Sequence, residues 1–108
     1  MDQSEGGAGA KVYAARCANC HMESGQGLGK MIPSMVQSPA VLNGQGNLAC
    51  LIRNGIAKDT AKVGPGMPGF ELSPSELVAV INYMKNAWGN QGGEVTFAEV
   101  DKALEGCP

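Results

Sequence analysis

The 108 residues carry a net charge of −2, sixteen Gly, six Pro and only two Phe, two Tyr and one Trp. The length fits a single small domain spanning 1–108, and an acidic balance without a basic stripe excludes nucleic acid as a partner. No stretch is long and apolar enough to span a membrane. An aromatic-poor, loop-rich chain suits a fold whose core is filled by a bound group.

Residues 1–5 read as a polar, frayed lead-in. No signal peptide precedes Asp2, so the chain is read as a mature or trimmed form. Gly9, Val12, Tyr13, Arg16, Cys17 and Cys20 fall on helical spacing and predict a helix from about Gly6 to Asn19. Gly9 costs up to ~1 kcal/mol there against Ala, so a reason for it would be close approach of another backbone. Residues 22–46 read as loop, punctuated by Ser24-Gly25, Pro33, Ser38-Pro39 and Asn43-Gly44. So long an irregular stretch hints at a wrapped ligand. Asn47 is placed to cap a short helix through Asn54, with Leu48, Leu51 and Ile52 on one face and Gly55 as its stop.

Residues 58–72 are loop again, and Gly64-Pro65-Gly66-Met67-Pro68-Gly69-Phe70 excludes helix and central strand. Ser73-Pro74-Ser75-Glu76 then opens a helix, with Ser73 as N-cap, Pro74 at the first helical position and Glu76 completing a capping box. Leu77, Val80, Ile81, Met84 and Trp88 form its stripe and Gly89 ends it. After a Gly/Asn linker at 89–93, Thr96 and Glu99 make a second capping box for a final helix faced by Phe97, Val100 and Leu104. No strand is expected.

The chemistry centres on Cys17-Ala18-Asn19-Cys20-His21. Two thiols three apart with His after the second are the attachment signature of a c-type haem. At a helix end i and i+3 share one side, so both thiols reach the vinyl groups on one porphyrin edge, and His21 follows to ligate the iron. A zinc module using Cys17, Cys20, His21 and Cys50 competes, but it lacks the usual second close-spaced ligand pair. A sixth iron ligand has no second His to draw on. Met22 is tied beside His21 and Met84 lies on a core stripe, which leaves Met31, Met35 and Met67. Met67 sits in a rigid Pro/Gly loop that pre-sets a side chain; Met35 is the leading alternative.

These features resemble a class I cytochrome c, the small soluble monohaem type of bacteria, over residues 6–88. The likeness rests on Cys17–His21, on Met67-Pro68-Gly69-Phe70 and on the helix ending Ile81-Asn82-Tyr83-Met84. It implies an all-α cytochrome c fold, three core helices wrapped around one covalent haem; residues 89–108 depart from the minimal family fold and resemble the short extra helix of some bacterial members, expected here as a linker and helix packed on the core. It implies that Gly9 and Tyr13 on the first helix cross Val80 and Tyr83 on the last. It implies Met67 as sixth ligand, and a pocket drawn from Pro33, Ile32, Tyr13, Leu51, Ile52 and Phe70. The Pro33 carbonyl would accept from His21 Nδ1–H. The lysines are few and scattered, unlike the lysine ring through which better-known members dock.

Cys50 and Cys107 remain. In an oxidising compartment an even pair invites a disulfide. Cys50 points nearly opposite its helix's apolar face and Cys107 extends the last helix's stripe, so a bridge would pin the tail over the middle helix. Free thiols or an intermolecular link are the alternatives. The expected function is one-electron transfer between redox partner proteins by a monomer in the periplasm or another extracytoplasmic space, with no catalytic group of its own. Electrons would pass at an apolar rim of Ala18, Met22 and Pro68, joined by Ile32 and Met35. The alternatives are an electron-entry domain of a larger oxidoreductase, and a haem sensor or peroxidase-like protein with an open sixth site.

Overall fold

The computed structural model describes residues 7–29, 32, 34–43, 45–56 and 66–107, with backbone only at 40, 43 and 45–47. The order is α1 (Ala8–Val12), a π-helical turn (Tyr13–Cys17), α2 (Ala18–His21), α3 (Pro39–Asn43), α4 (Gln45–Asn54), α5 (Pro74–Asn86) and α6 (Phe97–Glu105). The fold is all-α: extended pairing among the described residues is limited to isolated bridges, Leu28 with Ile32 and Ile56 with Met67.

α1 crosses α5 closely, and Gly9 is what permits it. A Cβ at Gly9 would overlap the Ala79 carbonyl oxygen and meet Tyr83 Cβ at 2.8 Å. The propensity lost at Gly9 is thus offset by backbone-to-backbone contact across the crossing. Tyr13 sits one turn on, 2% exposed, with its ring 5.3 Å from Tyr83 and 5.2 Å from Trp88. Leu77, Val80, Ile81 and Met84 line the buried face of α5 and join Leu48, Ala49 and Ile52 of α4 in one core. Met84 is therefore a packing residue.

The first helical run is longer than the sequence suggests. It continues through the π-turn to His21 instead of stopping at Asn19. Pro39–Asn43 is a helical turn where loop was expected, closed by the Val41 and Leu42 amides donating to the Ser38 carbonyl at 3.1 and 2.9 Å. α4 begins at Gln45, ahead of Asn47, whose side chain lies outside those described. Gly55 ends α4 with φ 76. α5 stops at Asn86, three residues before Gly89, because Ala87 turns extended and Trp88 takes φ 55.

Both capping boxes form, Ser73 with Glu76 and Thr96 with Glu99. The carboxylates accept from the cap amides at 2.9 Å each. α6 packs on α4 and α5 through Val100, which is fully buried. Phe97 corrects the expected stripe: it is 50% exposed, in the first turn, beyond the body that Val100 and Leu104 face. Cys50 and Cys107 are joined by a disulfide between Cα atoms 5.5 Å apart. Buried Asn82 also ties the linker down, its amide group bonding both the N–H and the C=O of Val95 at 2.7 and 3.1 Å.

Candidate functional site

The attachment segment is the end of the first helical run. Cys17 closes the π-turn and is buried, Cys20 lies one turn on and is exposed, and His21 is half-buried at the last position of α2. Cys17 and Cys20 are both free thiols, although they stand only three residues apart. Burial, with Cys20 beside it, pushes the Cys17 thiol up to about 11, so it stays neutral in the physiological range. Immediately after His21 the chain leaves the helix sharply, with Met22 at φ 70.

The Met67 loop is held to the end of α4 by its own backbone. Ile56 and Met67 exchange both hydrogen bonds, each at 2.7 Å, and the Phe70 amide donates to the Ile52 carbonyl at 3.0 Å. The Arg53 guanidinium donates to the Leu72 carbonyl at 3.0 Å and closes the far side. Gly55 lies directly under this bridge, and a Cβ there would overlap the Met67 carbonyl oxygen. Met67 is thus placed by main-chain contacts, with its half-buried side chain left unencumbered by that role.

Of the expected pocket residues, Ile52 is buried, and Leu51, Phe70 and Ile32 are half-buried. Ile32 is bridged to Leu28 through amide–carbonyl bonds of 2.8 and 3.2 Å. Tyr13 is buried in the aromatic cluster, and its hydroxyl donates to the Met22 carbonyl at 2.7 Å. Pro33, with the carbonyl expected to meet His21, lies outside the described residues, as does Met31. Met35 is buried at 9% exposure, which removes it from the exposed rim. Lys85 is also withdrawn from any docking surface. It is 1% exposed and its ammonium donates to the Leu42 carbonyl at 2.8 Å.

Sequence reading passed over Trp88 and Asn90. Trp88 reads as one more stripe residue, yet its indole N–H donates to the Glu23 carbonyl at 2.7 Å. Asn90 is buried and bonds Gln37 N–H, Met35 C=O and Met84 C=O at 2.7, 3.1 and 2.9 Å. A polar residue just past a helix stop was the one available signal for Asn90; nothing in the pattern marks Trp88.

The donor chemistry fits a covalently attached haem. Two free thiols sit on one end of a helical run with His21 after them, and Cys17 belongs to the same buried apolar cluster as Met35, Ile52 and Leu72. Among the described residues no three His, Cys, Asp or Glu side chains converge as a metal cluster. The zinc reading also loses Cys50, whose sulfur is bonded to Cys107. Two thioethers and an axial ligand serve separate points of one macrocycle and need no such convergence.

Comparison with known proteins gives the same reading. A family model described as cytochrome c matches residues 7–88. The cytochrome c subunit of the quinone alcohol dehydrogenase of Gluconobacter oxydans (strain 621H) is 37% identical over 105 residues, covering 91% of this chain and 22% of the subunit. The corresponding subunit of Gluconacetobacter polyoxogenes is 33% identical over 108 residues, covering 93% of this chain and 23% of the subunit. Cytochrome c-552 of Thermus thermophilus is 33% identical over 91 residues, covering 76% of this chain and 69% of that protein. The chain thus spans less than a quarter of the length of the dehydrogenase subunits and most of the small cytochrome. It belongs to the cytochrome c family.

Proposed function

We propose that this chain carries one electron at a time between redox proteins, with Cys17 and Cys20 as the haem thioethers and His21 and Met67 as the axial ligands. Haem c is the cofactor of the family, and when bound its iron cycles between ferric and ferrous, with a thioether ligand raising the potential. The observation that carries the ligand assignment is the two-way bridge between Ile56 and Met67. A weak sulfur ligand needs a backbone that is already in place, because ordering it on binding would offset much of what the bond contributes. Gly55, Arg53 and the Ile52 carbonyl, which the Phe70 amide meets, supply that order from the end of α4. His21 is held in turn by the segment that follows it.

The remaining residues keep water out. Ile52, Leu72 and Met35 present buried apolar surface, which disfavours the more positive ferric form. The exposed apolar rim is formed by Met22, at 45% exposure, with Pro68 and half-buried Ala18 and Ile32. With Lys85 buried, docking there relies on apolar contact and gives brief encounters that depend weakly on salt. No residue of the site is assigned a catalytic role. Residues 7–107 act as one domain with α6 stapled onto it, working outside the cytoplasm, where haem attachment and a disulfide are both sustained.

A reading as an electron-entry domain of a larger oxidoreductase is favoured by one observation: more than nine-tenths of this chain aligns within the dehydrogenase cytochrome subunits. The two readings share the chemistry and differ in donor. Reduction of the ferric protein by the purified catalytic subunit of a quinone alcohol dehydrogenase with alcohol would support the domain reading.

The test of the shared chemistry is a pyridine haemochrome assay followed by redox titration and exposure to carbon monoxide. The expected result is a haem held by two thioethers, one reversible electron, and a ferrous spectrum that carbon monoxide leaves unchanged. A high-spin spectrum that shifts with carbon monoxide contradicts the Met67 assignment and moves the protein to the sensor or peroxidase class.

A further inference from the structure

We infer that Tyr13 and Trp88 are positioning residues for His21, acting through the carbonyls of the two residues that follow it. The inference rests on His21 as an iron ligand. Met22, next after His21, has φ 70 and ψ 160, a region that residues with side chains rarely occupy. Such a conformation persists only where the surroundings over-determine it, and it tends to mark function. Here the Met22 carbonyl accepts from Gly25 N–H at 3.1 Å within the turn, and two aromatic donors hold the turn from outside. Tyr13 Oη donates to the Met22 carbonyl and Trp88 Nε1 to the Glu23 carbonyl, each at 2.7 Å.

The donors are themselves fixed. Tyr13, Tyr83 and Trp88 form a closed triad with centroid distances of 5.2, 5.3 and 5.7 Å. Trp88 takes φ 55 just past the end of α5, which brings its ring back over the loop. The ring lies on Gly25, where a Cβ would come within 2.7 Å of the indole carbons. The His21 carbonyl accepts from Gly27 N–H at 3.0 Å, so all three carbonyls from His21 to Glu23 are held.

The physical consequence concerns the position of His21 at the very end of the first helical run. A helix end frays where its carbonyls lack partners. The triad refers the backbone of His21 to the end of α5 instead, the most extensively packed helix of the fold. The imidazole then keeps one orientation without relying on α2.

The test uses the haem-loaded protein with Tyr13→Phe and Trp88→Phe, which remove one donor each and keep an aromatic ring. Amide exchange at Gly25 and Gly27 should quicken about tenfold, the equivalent of one lost hydrogen bond. The ferric electron-resonance g-values and the shifted proton resonances of His21 should move in both variants. Val100→Ala, on the buried face of α6, is the control; it should lower the melting temperature and move neither readout. If Tyr13→Phe and Trp88→Phe lower the melting temperature yet leave exchange and the His21 resonances as in the parent, the triad is packing only and the inference is overturned. Tyr13→Phe alone decides the matter if Trp88→Phe does not take up haem. A parent protein without low-spin histidine-ligated signals would instead overturn His21 as ligand, while the exchange data would still report the clamp.

Discussion

The two segments proposed to reach the iron are held by different means. The segment after His21 adds to its short-range main-chain bonds from Gly25 and Gly27 two side-chain donors, Tyr13 and Trp88, that belong to distant parts of the chain. The Met67 segment is fixed by main-chain bonds to Ile56 and Ile52 and by a glycine that lets two backbones touch. Side-chain donors can be removed singly, so the first segment should respond to mutation by degrees. A backbone bridge over a glycine has no intermediate state, so the second should respond abruptly. A weak thioether, which must be presented, is found on the abrupt side. A strong imidazole, which needs only to be aimed, is found on the graded one.

The largest effect expected is therefore at Gly55. Gly55→Ala adds a Cβ against the Met67 carbonyl at a residue with φ 76. It should destabilise by roughly 2–4 kcal/mol and abolish the far-red sulfur–iron band of the ferric protein. Thermal unfolding and the oxidised spectrum check both. An intact band would show that the bridge does not present Met67.

Next is the disulfide, which lies outside both segments. Its cysteines are 57 residues apart, for which the chain-entropy model gives about 4 kcal/mol, an upper figure because a bound haem already restrains the unfolded chain. Reduction, or Cys50→Ser with Cys107→Ser, should lower the melting temperature and leave the haem spectrum unchanged. An unchanged melting temperature with two titratable thiols in the untreated protein would remove the bridge from the account.

The smallest effects lie in the capping boxes, which sit in neither segment and should leave both silent. Ser73→Ala or Thr96→Ala should cost about 1 kcal/mol in unfolding free energy. Glu76 and Glu99 are held below the usual carboxylate range by the hydrogen bonds they accept from Ser73 and Thr96. A depressed folded pKa contributes stability above the unfolded value that is lost as pH falls through the folded one. The acid limb of a melting profile should therefore flatten in Glu76→Gln with Glu99→Gln. An identical limb would mean the boxes do not couple to pH.

Legibility in the sequence followed how local each cause was. Both capping boxes and the α5 stripe from Leu77 to Met84 are set by neighbours within a few residues, and these are present as read. Gly9 was interpretable because a costly residue needs a reason, and the α5 backbone supplies it. α3 was missed although Ser38-Pro39 repeats the Ser73-Pro74 start, because no Glu follows at the third helical position and the helix ends after five residues. Trp88 was read as the last residue of the α5 stripe, and helical periodicity says nothing of the left-handed turn at 88 that lies past the helix end. Met35 was offered both as a rim residue and as an alternative ligand, and its burial removes only the first role.

The measurement that tests the central claim most directly is the far-red sulfur–iron band of the ferric protein, compared across the parent, Met67→Ala and Met35→Ala. The account predicts the band in the parent and in Met35→Ala, and its loss in Met67→Ala together with a sixth site that carbon monoxide enters. A band that survives in Met67→Ala and disappears in Met35→Ala would contradict it, and the bridged loop would then have some other purpose.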